Sequence, residues 1–176
     1  MRGTHRGNTR CLPDTSQCGR MVGTNLYREM IRRMIRPMTH ADLAPCGSLY
    51  AKAFPQEHWG IDWTDESAAA YLQDFLEQKK FVGYVYEEQG EVLGCILAHR
   101  RICGSREELC LNEMAVLPGH QGRGIGSQLL GALIRYGREN GLAGIVLYTS
   151  RYAPAAGFYE KHGFMLSEGT VCMYLA

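Results

Sequence analysis

Gln121-Gly-Arg-Gly-Ile-Gly126 sets three glycines at alternate positions between a run of period two and a run of helical period. Leu109, Leu111, Glu113, Ala115 and Leu117 alternate with Cys110, Asn112, Met114 and Val116, which predicts a strand with the first set on one side. Pro118-Gly119 ends it, and Ile125, Leu129, Leu130, Leu133 and Ile134 then recur at helical spacing. A glycine-rich turn that opens a helix is suited to an anion. The first backbone N–H groups have no intrahelical partner, and the helix dipole adds partial positive charge. Glycines at 122, 124 and 126 let a phosphate or pyrophosphate approach that backbone, with Arg123 at the rim. Two phosphate-binding fingerprints fail here. The dinucleotide turn needs G-x-G-x-x-G, and the triphosphate loop needs Lys where Ile125 stands.

The spacing that fits is Q/R-x-x-G-x-G/A, together with Val116-Leu-Pro118 ahead of it and Ala155-Ala-Gly-Phe-Tyr159-Glu-Lys-His-Gly163-Phe164 behind it. In these three stretches, in this order, the chain resembles the GCN5-related N-acetyltransferases (GNAT) from about Met34 to its end. The resemblance implies a single α/β domain: a central mixed, twisted sheet flanked by helices, in which two parallel strands, Leu109–Leu117 and Gly144–Thr149, splay apart. It implies acetyl-coenzyme A as co-substrate, seated in that gap with its pyrophosphate on the glycine turn. The residues carried over as its binding set are Met114, Ala115, Val116, Gln121, Gly122, Arg123, Gly124, Ile125, Gly126 and Ser127. The family's carbonyl-polarising donor is backbone N–H near Ala115 and Val116, where the strand bulges. No metal is implied.

The acceptor of such a transfer is an amine. An alkylammonium of pKa ~10 is mostly protonated at neutral pH, so a base must take its proton, directly or through water. Glu113, one residue ahead of the acyl-binding segment, is the candidate. The resemblance assigns the proton for the leaving thiolate to Tyr159. One position departs from the pattern: many members carry Asn where this chain has Tyr152.

For the acceptor itself, Glu57, Asp62 and Glu113 with Trp59, Trp63 and Arg151 are the expected contacts. Phe54–Thr64 is a loop with two Trp, read either as a binding wall or as pins onto the core. An acidic, Trp-lined pocket suits a polycation. His58-Trp-Gly-Ile-Asp-Trp63 and Leu147-Tyr-Thr149 resemble aminoglycoside 6′-N-acetyltransferase-like members, which makes an aminoglycoside the specific expectation. The alternatives are acetylation of a protein N-terminus or lysine, and a non-catalytic coenzyme A-binding regulatory module.

The elements that must position these residues follow from periodicity and punctuation. Met34–Met38 is a short first strand that Pro37 places at an edge or a strand end, and Thr39–Ala53 a helix that begins near Pro45 or kinks there. Thr64 N-caps a helix running to about Lys80. Phe81–Tyr86 and Glu91–Ile102 pair through a turn at Glu87–Gly90, and a second turn follows at Gly104. Gly141 C-caps the helix after the glycine loop. Gly144–Thr149 is a buried strand, Pro154–His162 a short helix, and Phe164–Leu175 a closing hairpin that turns at Glu168-Gly169.

Composition sets the outer limits. The 176 residues carry a net charge of +1, unevenly spread: residues 1–33 hold seven Arg against two acidic residues, net +5, which leaves −4 for residues 34–176. Residues 1–33 lack apolar periodicity and read as a disordered or non-native lead rather than a nucleic-acid or membrane element. No run approaches the ~18 apolar residues of a membrane span. Seven scattered Cys form no C-x-x-C pair. Cys95, Cys103, Cys110 and Cys172 read as small core residues, and a reducing, cytoplasmic setting is expected. Relatives are commonly dimers, so a homodimer is a possible assembly.

Overall fold

A computed structural model describes residues 34–150, 152–169, 171 and 173, apart from the side chains of His58 and Trp59. Among these residues one sheet runs in the order β1 (Ile35–Pro37), β2 (Phe81–Glu88), β3 (Glu91–Cys103), β4 (Arg106–Val116) and β5 (Ile145–Leu147). The first three junctions are antiparallel and β4–β5 is parallel, the mixed α/β sheet expected from the sequence. Pro37 sits on edge strand β1, where its missing N–H breaks no interior ladder. Gln89 and Gly90 both have positive φ (54° and 83°), the two-residue turn whose twist suits the β2–β3 hairpin.

Helices cover both faces. A single 3₁₀ turn, His40–Asp42, leads into α1 (Leu43–Ala53). Pro45 therefore falls in the first turn of α1, where its absent N–H costs no intrahelical bond. α2 (Asp65–Leu76) starts at Thr64, whose hydroxyl accepts from Ser67 N at 3.1 Å while Ser67 Oγ accepts from Thr64 N at 3.0 Å. It stops four residues short of the expected end. Glu77, Gln78 and Lys79 carry no local stop signal, but the chain must turn back into β2, and Lys80 does so at φ 64°. α3 (Ile125–Glu139) ends at Asn140, followed by left-handed Gly141, and α4 (Pro154–Lys161) begins on Pro154.

The core has two halves. α1 and α2 bury Cys46, Leu49, Tyr50, Ala68 and Leu72 against Val85, Cys95, Leu97 and Ala115. α3 buries Ile125, Leu129, Leu130 and Leu133 against Val82, Tyr86, Ile96, Ala98, Leu109 and Leu111 on the other face. The two close approaches are set by glycine. A Cβ on Gly47 of α1 would lie 2.7 Å from Asp65 O and 2.8 Å from Ala69 Cβ in α2, and one on Gly94 would lie 3.0 Å from the Ile125 and Leu129 side chains.

β4 does not keep the single alternation expected from the sequence. Ala98 faces Leu111 and Leu97 faces Glu113, so Asn112 is an extra residue, a β-bulge. Leu109 and Leu111 consequently lie in the α3 core, whereas Ala115 lies in the α1/α2 core, with Glu113 on the same side. The Asn112 side chain accepts from His99 Nδ1 at 2.8 Å across the strand pair.

Three further expectations are corrected. β5 is three half-buried residues rather than a six-residue buried strand, because β4 alone pairs with it among the described residues. The described residues from Phe164 onward turn at Glu168-Gly169 as expected but form no strand, and Met165 and Met173 are exposed. Cys103 is exposed because β3 ends there at the Gly104 turn, while Cys46, Cys95 and Cys110 are buried. Cys172 and the residues 1–33 lie outside those described.

Candidate active site

Glu113 is the centre of the site. Tyr50 Oη of α1 donates to its Oε2 at 2.9 Å, and Tyr71 Oη of α2 donates to its Oε1 at 2.6 Å. The two phenols are held by Trp63, whose ring is 5.5 Å from Tyr50, edge-on, and 5.0 Å from Tyr71. Phe54 and Phe75 extend the cluster at 4.4 Å from Tyr50 and 5.0 Å from Tyr71. The carboxyl is half-buried, and burial raises its pKa above the ordinary glutamate value although both phenols oppose the rise. A carboxylate so placed is a stronger base than one in water.

Tyr159 stands on α4, packed on Phe158 and Phe164. Burial first, and the Glu113 carboxylate second, push its phenol up to about 12. It keeps its proton at neutral pH, as a proton donor must.

Between these groups the sheet opens. β4 and β5 pair only at Leu109/Ile145, Cys110/Val146 and Leu111/Leu147, and the pairing ends at the Asn112 bulge. Backbone alternation then fixes which donors face the opening. Leu117 N bonds Leu93 O at 2.9 Å, so in this antiparallel ladder Leu117, Ala115 and Glu113 direct their N–H groups at β3. Met114 and Val116 direct theirs to the open side, and Val116 O accepts from Gln121 Nε2 there at 3.2 Å. The open edge thus offers the N–H groups of Met114 and Val116 rather than that of Ala115, because the ladder consumes alternate residues.

The glycine turn lies at the end of this opening. Gly119, Gly122 and Gly124 have φ of 86°, 74° and 80°, a backbone that side chains with a Cβ resist. Gly124 is the N-cap of α3 and supplies no side-chain cap, so the helix presents its first N–H groups to an incoming anion. These features fit a pyrophosphate. A Cβ on Gly126 would lie 3.6 Å from the Phe158 ring, and buried Ile125 anchors the loop to the sheet. Arg123 is engaged within the protein, donating to Glu88 Oε2 at 2.8 Å and to His120 Nδ1 at 2.7 Å. Ser127 Oγ lies 3.0 Å from His162 Nε2.

Of the residues expected to meet the acceptor, Trp63 is drawn to the tyrosines that bind Glu113, while Glu57 and Asp62 are exposed. The Trp59 side chain and Arg151 lie outside the described residues, and Tyr152 is exposed. Tyr50 and Tyr71 were not singled out by the sequence. Tyr50 shares an apolar helix face with Leu43, Cys46, Leu49 and Ala53, which marks it only as core. The available signal was a pair of phenols on consecutive helices that must cover a strand bearing one carboxylate.

Comparisons with known proteins identify the family and the fold. The model of the Acetyltransferase (GNAT) family matches residues 43–164, and the chain belongs to that family. It is 28% identical over 109 residues to an uncharacterized N-acetyltransferase of Bacillus subtilis (strain 168), YhfO, across 60% of this chain and 73% of that one. Its fold is similar to a possible acetyltransferase from Clostridium difficile 630, with TM-score 0.69, 17% identity and coverage of 81% of this chain and 96% of that one. It is also similar to the aminoglycoside N-acetyltransferase AAC(6')-Iy in complex with CoA, with TM-score 0.63, 22% identity and coverage of 81% and 93%. The chain is an acyl-CoA-dependent N-acetyltransferase.

Proposed function

We propose that this enzyme transfers an acetyl group from acetyl-coenzyme A to a primary amine of a small cationic molecule, with an aminoglycoside as the specific acceptor. The observation that carries the reading is the Glu113 carboxyl, raised in pKa and hydrogen-bonded by two helices on the strand where β4 loses β5. Glu113 takes the proton of the acceptor ammonium, directly or through water, and the freed nitrogen attacks the thioester carbonyl. The N–H groups of Met114 and Val116 hold the carbonyl oxygen as charge develops on it. The C–S bond breaks as Tyr159 supplies a proton to the departing sulfur, and the second proton of the attacking nitrogen passes to the Tyr159 oxygen, which restores the phenol. The turn Gln121–Ser127 holds the pyrophosphate.

A cationic acceptor is supported by the net −4 of residues 34–176, by exposed Glu57 and Asp62, the first on a helical turn (Gln56–Trp59) that interrupts the expected loop and the second just before Trp63, and by the likeness in fold to AAC(6')-Iy. The test is thiol release from acetyl-coenzyme A with kanamycin-type and gentamicin-type aminoglycosides, polyamines, and peptides with free N-termini or lysines. Release with one aminoglycoside class, lost in Glu113→Gln by 10²-fold or more, is the expected outcome. Release with peptides alone would move the function to protein acetylation. Coenzyme A binding with no release from any acceptor would favour a regulatory module.

A further inference from the structure

We infer that Tyr50 and Tyr71 are positioning residues for the acetyl-transfer base: together they fix the direction of the Glu113 carboxylate and set the pH at which it works. This rests on the reading of Glu113 as the base. A carboxylate offers about four lone-pair directions. One on each oxygen is taken, by Tyr50 at 2.9 Å and by Tyr71 at 2.6 Å, so the carboxylate plane cannot rotate without breaking a charge-assisted bond. The donors come from different helices, and those helices meet at Gly47, where α1 lies against Asp65 O and Ala69 with no room for a Cβ. Trp63 contacts both rings, so neither phenol can swing away independently. Burial holds both phenols well above the ordinary tyrosine range, so each keeps its proton and acts only as a donor.

Among the described residues, the other polar groups near Glu113 come from α4 and β3. Tyr159 faces it from α4, and on β3 the residue opposite is Leu97, flanked on the same side by the Cys95 thiol and by His99, which bonds Asn112. The two phenols are the groups bonded to the carboxylate, and they stabilise its ionised form.

Tyr71→Phe keeps the ring against Trp63 and Phe75 and removes one donor, and Tyr50→Phe does the same on α1. Each should move the acid limb of the kcat/KM profile upward by about one pH unit. Turnover should fall below the new midpoint and recover toward the parent value above it. KM for acetyl-coenzyme A should be unchanged. A carbon-NMR titration of labelled Glu113 should show the same upward shift without reference to turnover. If Tyr50→Phe does not fold, Tyr71→Phe with its half-exposed ring carries the test. A loss of turnover equal at all pH values, with the Glu113 titration unmoved, would overturn the inference and leave Glu113 as the base. Unchanged turnover in Glu113→Gln would overturn both.

Discussion

Burial and the two phenols pull the Glu113 carboxyl in opposite directions, and burial wins. A base acts only when ionised, so kcat/KM should rise with pH through a midpoint above the ~4.3 of an ordinary glutamate. A profile already flat at that pH would remove Glu113 from the role. Tyr159 makes the complementary demand. With its pKa pushed up to about 12, it imposes no alkaline fall in rate across the neutral range. Tyr159→Phe should lower kcat by about 10²-fold and leave KM for acetyl-coenzyme A nearly unchanged, since only the departing sulfur needs the proton. Steady-state kinetics with both substrates varied would separate the two constants.

Among the elements, the α1–α2 contact bears most directly on the site. Gly47→Ala should gain up to ~1 kcal/mol of helix propensity. The added Cβ, however, would meet Asp65 O at 2.7 Å and Ala69 at 2.8 Å, backbone and a methyl that cannot step aside. Overpacking of this kind costs about 1–3 kcal/mol, so the clash outweighs the propensity. Urea unfolding should show a net loss of stability, and turnover should fall with it because Tyr50 and Tyr71 ride on these two helices. A variant more stable than its parent would show that the contact is looser than the geometry requires.

The same elements show how far the sequence could be read. The strand, the glycine turn and α3 were legible because their periods and their glycines are local properties. The Thr64 cap and the Gln89-Gly90 hairpin were legible for the same reason. The bulge was not: alternation read along one strand assumes an unbroken pleat, and Asn112 declares itself only by its pairing with β3. Tyr50 and Tyr71 were hidden because an aromatic ring on an apolar helix face looks like core until the carboxylate it meets is known. The end of α2 was misread because its stop is imposed by the sheet rather than by the residues there.

For the molecule as a whole, a polar staple joins the outer strands to the first helix. Arg36 on β1 donates two bonds to Asp42, at 2.9 and 2.7 Å, and a third to Glu87 of β2 at 2.8 Å. Asp42 is buried and also accepts from the backbone N and the hydroxyl of Thr39. Asp42→Ala leaves these donors without their acceptor and should cost about 3 kcal/mol at neutral pH. The Arg36 guanidinium beside it lowers the Asp42 pKa below the ordinary aspartate value. Its contribution is therefore complete above the ordinary carboxylate range and is lost as pH falls through the lowered value. Denaturant midpoints of parent and variant should accordingly differ at neutral pH and converge in acid.

The extra residue in β4 gives the strand two phases. Upstream of Asn112 its odd-numbered side chains face α3, and downstream of it the odd-numbered Glu113 and Ala115 face α1 and α2. Deleting Asn112 would alter no residue that touches the site. It would close the ladder on the pairs already made, Leu111 with Ala98 and Glu113 with Leu97, so each side chain would keep its face and the strand would lose only the bend that ends its pairing with β5. Asn112 thus holds one residue of slack, which bends β4 where it parts from β5 without moving any side chain from its place.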